Sequence, residues 1–527
     1  MSNSMRLFIV FSVNLIIAFG FYYEQLDAGV DSISSDLANI IPVCKKMDQP
    51  SLYQDDLYLS DLEDVRYYTP FFVQSLRFIA VFFDYDYIQA LNFMGLLVHL
   101  IYGISWFYFF YIIKKDFWLS LFFSLFVRGI IWPPGGELLG ISEMWTIMPR
   151  TLLMAFLPIP LILYHYLKKY KEFFSFLALG LIFNFHPITG LGAIIGFMTF
   201  YFAFFYFRKE HHKIYNLKHV FLIFGSCFLG MLPYLLTYTF KVENNVVIDQ
   251  NAFNEAIRLR IPKIFFNPIS FIMKWDRGSF YFFLICFFLF GFFDSSPRKY
   301  IFKSLLFSCI SIFLLANLSV YVEQILNYVL GSNLRMSFQL IRFQKLIIVV
   351  FQIGLFLLLI ELIKKFSIPN YFKIAFLGVY CFLLMVSSHS VFSKLPLLGD
   401  DLTTFILPDT YKFIPRKIHD EDLRNMLTYI ELNTAPQSIF YGTYLIRAGA
   451  SRSVVLDYKG ASMLIEGNPV KLMNWHEEIS AYNLIQNDEG KADFLKSKNV
   501  TFVLDTKVWD SLKEVKVIGK YYLYRVN

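Results

Sequence analysis

The chain has 527 residues, of which 56% are hydrophobic, 20% aromatic and 17% charged, with a mean hydropathy of +0.50; a soluble domain carries about 25% charged residues. This balance excludes a secreted domain, a coiled coil and a disordered chain. It fits a membrane protein whose 62 Phe and 34 Tyr gather in apolar runs separated by short basic clusters. The net charge of +7 does not call for nucleic acid, because much of the basic excess lies in the short loops between those runs.

The first run, 7–21, follows Arg6 and has no small-x-small cleavage site after it, so it predicts an uncleaved helix with the N-terminus inside. Segment 22–87 then forms the first outer loop. Between 21 and 70 it carries ten acids against Lys45, Lys46 and Arg66, and its 70–83 run predicts a juxtamembrane helix. Further runs at 88–113, 117–131, 145–167, 172–186, 190–207, 217–240, 279–293, 301–322, 344–363 and 371–391 bring the total to eleven. They predict a polytopic all-α membrane domain over 1–391. Fourteen basic residues fall in alternate loops, among them Lys114, Lys168, Arg208, Lys303 and Lys364, which assigns those loops to the inside.

An odd number of spans puts the linker 392–419 and everything after it outside. Hydropathy drops there, and 420–527 reads as a small α/β domain. Segments 420–432 and 470–485 are helical, 438–441, 454–458 and 500–504 strand-like, and 515–526 hairpin-like. Four of the five cysteines lie in apolar runs and Cys44 stands alone in a polar loop, so neither a disulfide framework nor a zinc site is indicated. The chain has no GxGxxG, P-loop, GxSxG or HExxH, and no nucleotide cofactor is expected.

Helix breakers and unusual charges converge on the predicted outer face. In the first loop, Asp55 and Asp56 stand side by side; a carboxylate near the membrane surface acts as a general base, holds a divalent cation such as Mg2+ or Mn2+, or is simply solvated. Trp132-Pro133-Pro134-Gly135-Gly136-Glu137 ends one run, and Glu143, Trp145 and Arg150 open the next. Arg150 there grips a phosphate or pairs with Glu143. The turn Asn184-Phe185-His186-Pro187-Ile188-Thr189-Gly190 breaks a long apolar stretch, and His186 either moves protons or caps the turn. In the loop 241–278, Arg258, Arg260, Lys263, Lys274 and Arg277 run against the topological bias, and a phosphate headgroup or a solvated surface helix accounts for them. Arg335 and Arg342 carry the same reading. The segment from Arg452 to Lys459 reads as a buried strand with charges near its ends, and Trp475 lies on the next helix. That cluster faces sugar and phosphate, or pairs its charges within the domain.

This layout resembles the GT-C class of integral membrane glycosyltransferases over the whole chain. The pieces Asp48-Gln49-Pro50-Ser51-Leu52-Tyr53-Gln54-Asp55-Asp56, His186-Pro187-Ile188-Thr189-Gly190, Asn433-Thr434-Ala435-Pro436, the run from Arg452 to Lys459, and Trp475 resemble those of bacterial polytopic proteins of the DUF6798 type. The resemblance implies a sugar donor linked to a polyprenyl phosphate, a glycan, lipid or protein acceptor, and Asp55 or Asp56 as the acid that deprotonates the acceptor. The chain lacks the Asp-Glu pair of protein mannosyltransferases and the WWD-type motif of oligosaccharyltransferases, so no particular sugar is implied. Two other classes compete: a lipid or polysaccharide transporter, which would place paired ionisable groups at mid-membrane in repeated halves, and a non-catalytic envelope-assembly protein.

Overall fold

The structure is a computed structural model, and it describes residues 2–26, 29–33, 36–128, 147–210, 216–239, 249–275, 284–287, 289, 291, 299–330, 334, 336–387 and 420–526. Glu137, Glu143, Trp145, Arg277 and Arg335 lie outside the described residues, as do the side chain of Lys274, most of the 279–293 run and the linker 392–419. The chain divides into two compact units. One comprises residues 1–26, 92–235 and 263–416, the other 27–91, 236–262 and 417–527.

The first unit is helical. Among the described residues, six helices are long and apolar enough to cross a membrane: Asn3–Tyr23, Tyr87–Lys114, Pro187–Phe207, Leu217–Thr237, Tyr300–Leu330 and Ser337–Lys365. At 1.5 Å per residue, each of them reaches the roughly 30 Å of a hydrocarbon core. Their outward faces are apolar too. On the helix Leu217–Thr239, Phe221, Phe224 and Phe228 stand exposed on one face, which water would penalise and lipid does not. A multi-pass membrane protein requires this arrangement.

Six is fewer than the eleven runs in the sequence. The 117–131 run yields only the ten-residue helix Phe117–Phe126 among its described residues. The 145–167 run divides into Pro149–Phe156 and Ile159–Tyr166, with Pro158 and Pro160 at the break, where proline removes backbone donors. The 172–186 run stops at Phe183, and the helix Asn370–Ser387 covers most of the last run.

Small residues set the close contacts in this unit. A Cβ on Gly180 would lie 2.0 Å from the Cys227 carbonyl oxygen, and one on Gly230 would lie 2.4 Å from that of Leu177. Helices Lys171–Phe183 and Leu217–Thr239 therefore touch backbone to backbone, the usual solution where lipid removes any hydrophobic drive for association. Ser308 donates to the Gly196 carbonyl at 2.8 Å between two other helices.

The second unit is built on a five-stranded sheet of order β2-β1-β3-β5-β4, with β1 Ile439–Tyr441, β2 Ser453–Val455, β3 Phe502–Asp505, β4 Lys513–Ile518 and β5 Tyr521–Arg525. β1 lies parallel to both β2 and β3, while β5 runs antiparallel to β3 and β4. Helix Glu421–Asn433 presents Leu423, Met426, Leu427 and Ile430, one helical face, to Phe440, Val454, Leu504 and Leu523 of the sheet. Asp420 caps that helix by accepting the Leu423 N–H at 3.1 Å. The strand expected over 454–458 is shorter. It ends at Val455, Leu456 adopts φ +56°, and Asp457 caps the helix Tyr458–Gly467.

Ala38, from the first loop, belongs to the same core, and Val30 and Ile33 pack against it. Helix Gln250–Arg260, from the loop after the seventh apolar run, packs against helices Tyr458–Gly467 and Pro469–Leu484. Three segments far apart in sequence thus make one body.

Candidate functional site

The first loop is tied to the C-terminal domain by a buried charge network. Helix Leu37–Asp48 is followed by turns that carry Tyr53, Asp56 and Tyr58 inward. Asp56 is 1% exposed and both of its oxygens are occupied. Oδ1 accepts the backbone N–H groups of Tyr58 at 3.0 Å and Leu59 at 3.2 Å, while Oδ2 accepts Arg447 Nε at 2.8 Å and the Val454 N–H at 3.0 Å.

Arg447, on the short helix Leu445–Ala450, is completely buried. It also donates to Asp457 Oδ2 at 2.6 Å and to the Val454 carbonyl at 3.1 Å, and its guanidinium lies 4.5 Å from the centre of the Tyr58 ring. Burial pulls the Arg447 pKa down, but the Asp56 and Asp457 carboxylates outweigh it and hold the group above its ordinary value. Burial pushes the Tyr58 phenol well up, so Tyr58 stays protonated while its oxygen accepts the Asp457 N–H at 2.9 Å. Asp457 in turn takes the Lys459 and Gly460 N–H groups at 2.6 and 2.7 Å.

Further contacts fix the loop around this node. Lys45 reaches the Ala448 carbonyl at 2.8 Å and Ser451 Oγ at 2.9 Å, and Tyr53 donates to the Arg447 carbonyl at 2.7 Å. The terminal carbonyls of the short helix are thereby satisfied. Asp64 pairs with Lys471 at 2.8 Å and accepts from Asn468 at 3.0 Å. Asp48 accepts from Arg77 Nε at 2.8 Å and also from Tyr87.

These contacts separate the two neighbouring acids. Asp56 is an internal fastener, whereas Asp55 is exposed at the same turn. The C-terminal trio makes contacts within the unit. Arg452 is 4% exposed and donates to the Glu431, Thr434 and Ala450 carbonyls at 2.8, 2.6 and 2.9 Å. Lys459 pairs with Asp36 at 2.5 Å. Trp475 is fully buried, edge-on to Tyr458 at 5.4 Å, and offers no face for stacking on a sugar. On helix Gln250–Arg260, Arg258 is exposed and Arg260 half-buried, and burial lowers the Arg260 pKa against the pull of Asp457.

In the helical unit, Arg150 is half-buried in the first turn of Pro149–Phe156. His186 caps Pro187–Phe207: its Nδ1 accepts the Thr189 N–H at 3.2 Å, with Pro187 in the first turn. The neighbouring Asn184 does more. Fully buried, it donates to the Gly230 carbonyl at 2.8 Å and accepts the Tyr234 N–H at 2.9 Å. Its amide thus enters the backbone ladder of a helix interrupted by Pro233.

Sequence reasoning passed over Arg447 and Tyr58. The available signal was a lone arginine within Leu445-Ile446-Arg447-Ala448, a charge on an otherwise apolar turn. It also passed over Arg128, fully buried in the helical unit and donating to Asn14, in a slot that a Cβ on Gly103 would obstruct. Among the described residues, no three His, Cys, Asp or Glu side chains are grouped to hold a metal ion. No family model matches the chain, and no curated protein matches it.

Proposed function

We propose that the protein is a GT-C-like glycosyltransferase of the bacterial cytoplasmic membrane. It transfers a sugar from a polyprenyl-phosphate-linked donor to an envelope acceptor at the outer leaflet. Asp55 is the base that activates the acceptor hydroxyl, and Asp56 is the residue that positions it. The observation carrying this reading is the division of labour in the first loop: Asp56 is locked by Arg447 and backbone donors, leaving Asp55 exposed on a turn held still. A fixed carboxylate loses little entropy on meeting a substrate, which favours general-base catalysis.

Chain parity supports the topology. Segments 27–91, 236–262 and 417–527 belong to one compact unit, and no bilayer can pass through such a body. The chain must therefore cross an even number of times between the first and second segments. The long helices alone give three crossings there, Tyr87–Lys114, Pro187–Phe207 and Leu217–Thr237. The shorter helices Phe117–Phe126, Pro149–Tyr166 and Lys171–Phe183 complete six. Eleven crossings, with the N-terminus inside and the C-terminal domain outside, are the topology proposed.

The test compares Asp55→Asn with Asp56→Asn in cells, reading envelope glycan output and the melting temperature of the purified chain. Asp55→Asn is expected to keep the melting temperature and abolish output, whereas Asp56→Asn lowers the melting temperature. Wild-type output from Asp55→Asn contradicts the proposal.

A further inference from the structure

The helical unit contains a cavity of about 320 Å³, within the size range of small-molecule sites. Its wall is almost wholly hydrocarbon and aromatic, with Trp106, Leu161, Phe204, Leu305 and Ile353 drawn from five helices. Neither Arg150 nor His186 lines it. Gly192, Ala193 and Gly196 line one wall, where a Cβ on Gly192 would lie 2.7 Å from that of Phe343 and one on Gly196 2.8 Å from Ile312 Cδ1.

The cavity extends from Gly192 and Leu346 to the basic end of several of these helices. Ile112 and Ile113 line it just before Lys114, Tyr164 and His165 just before Lys168, Phe204 just before Arg208, and Ile301 just before Lys303. Contacts bring the cations to the rim: Lys171 lies 4.4 Å from the Tyr164 ring centre, and Arg208 lies 5.3 Å from that of Phe204. Several acids at this end are already neutralised. Glu361 pairs with Lys114 at 2.9 Å, Asp116 with Lys373 at 2.5 Å and Glu210 with Arg208 at 2.9 Å. Lys168, Lys169 and Lys303 remain exposed, with no carboxylate partner among the described residues.

An apolar hollow beneath uncompensated ammonium groups matches an amphiphile with an anionic head. We propose that the cavity holds an acyl chain of an anionic phospholipid, whose phosphate is met by Lys168, Lys169 and Lys303. Three lysines at a membrane surface favour an anionic headgroup over a neutral one by about tenfold or more. The site goes beyond the proposed transfer reaction and does not depend on it. In the topology above, this end faces the cytoplasm, away from the donor.

The test is native mass spectrometry of the full chain in detergent, incubated with phosphatidylglycerol, with phosphatidylcholine of the same chains, or with a long isoprenyl phosphate. Phosphatidylglycerol is expected to be retained about tenfold over phosphatidylcholine. Ile353→Trp, which fills the cavity, should cut that retention about tenfold at an unchanged elution profile. Ala193→Phe serves the same purpose if the first variant does not fold. Replacing Lys168, Lys169 and Lys303 together by Ala, all on the surface, should abolish the headgroup preference while phosphatidylcholine retention is unchanged. Equal retention of the two phospholipids, or retention indifferent to a folded filled-cavity variant, overturns the proposal. So does isoprenyl phosphate displacing phosphatidylglycerol at equal concentration.

Discussion

The two units treat a buried arginine in opposite ways. In the sheet-bearing unit, Arg447 is held by two carboxylates, a carbonyl and an aromatic face, and it joins segments nearly four hundred residues apart. In the helical unit, among the described residues, Arg128 donates to the neutral Asn14, and its Nε and Nη1 have no hydrogen-bond partner. Elsewhere that unit satisfies buried amides from backbone carbonyls close by, as Asn14 does at Val10 and Asn317 at Phe313, both at 2.8 Å. The sheet-bearing unit is therefore fastened by long-range charge pairing. The helical unit is fastened by local polar satisfaction and by close helix approach.

The largest effect expected from this difference is at Arg447. Arg447→Met strands Asp56 and Asp457 as buried carboxylates, and breaking such a pair costs about 3–5 kcal/mol. Arg128→Met strands no carboxylate and should cost about 1 kcal/mol at most, the value of one hydrogen bond. Thermal unfolding of the two purified variants, with limited proteolysis to show which unit opens, checks the contrast; equal losses would break it.

Next comes Gly180→Val, which forces apart two helices whose backbones touch. It should cost about 1–3 kcal/mol, as overpacking does, with the loss confined to the helical unit. Substitution of exposed Glu255 on the helix Gln250–Arg260 should leave both units unchanged.

The smallest effect concerns acid pH. Burial pushes the Asp420 carboxyl up, but hydrogen bonds from Lys520 and Tyr521 and the Leu423 N–H outweigh it and hold the group below its ordinary value. A carboxyl depressed in the folded state contributes stability that is complete above its unfolded pKa of about 3.9 and is lost as pH falls through the folded value. Lys520→Ala should therefore narrow the acid-stability margin slightly. NMR titration of the Asp420 carboxyl, moving upward in that variant, checks it.

Much of the architecture was legible in the sequence because the strongest signals are local. Apolar runs marked the long helices. Alternation and turn residues marked the strands at 438–441 and 500–504 and the closing hairpin, and the Pro187 break was visible in the chain. The remainder depended on partners distant in sequence. Asp55 and Asp56 look alike as neighbours; only Arg447 and Val454, nearly four hundred residues away, make one internal and leave the other exposed. For the same reason the sequence left open whether Arg452 and Lys459 face a ligand or pair internally; Arg452 meets carbonyls of its own domain, and Lys459 meets Asp36 of the first loop. The strand at 454–458 failed at Leu456, whose left-handed backbone serves the Asp457 cap.

The central claim is that the first loop, the helix Gln250–Arg260 and the C-terminal sheet form one body outside the membrane. Single-cysteine variants Asp55→Cys, Arg258→Cys and Lys513→Cys, each at an exposed position, can be treated in intact cells with a membrane-impermeant thiol reagent. All three should label from the outside at similar rates; labelling of any one only after the membrane is opened would contradict the account.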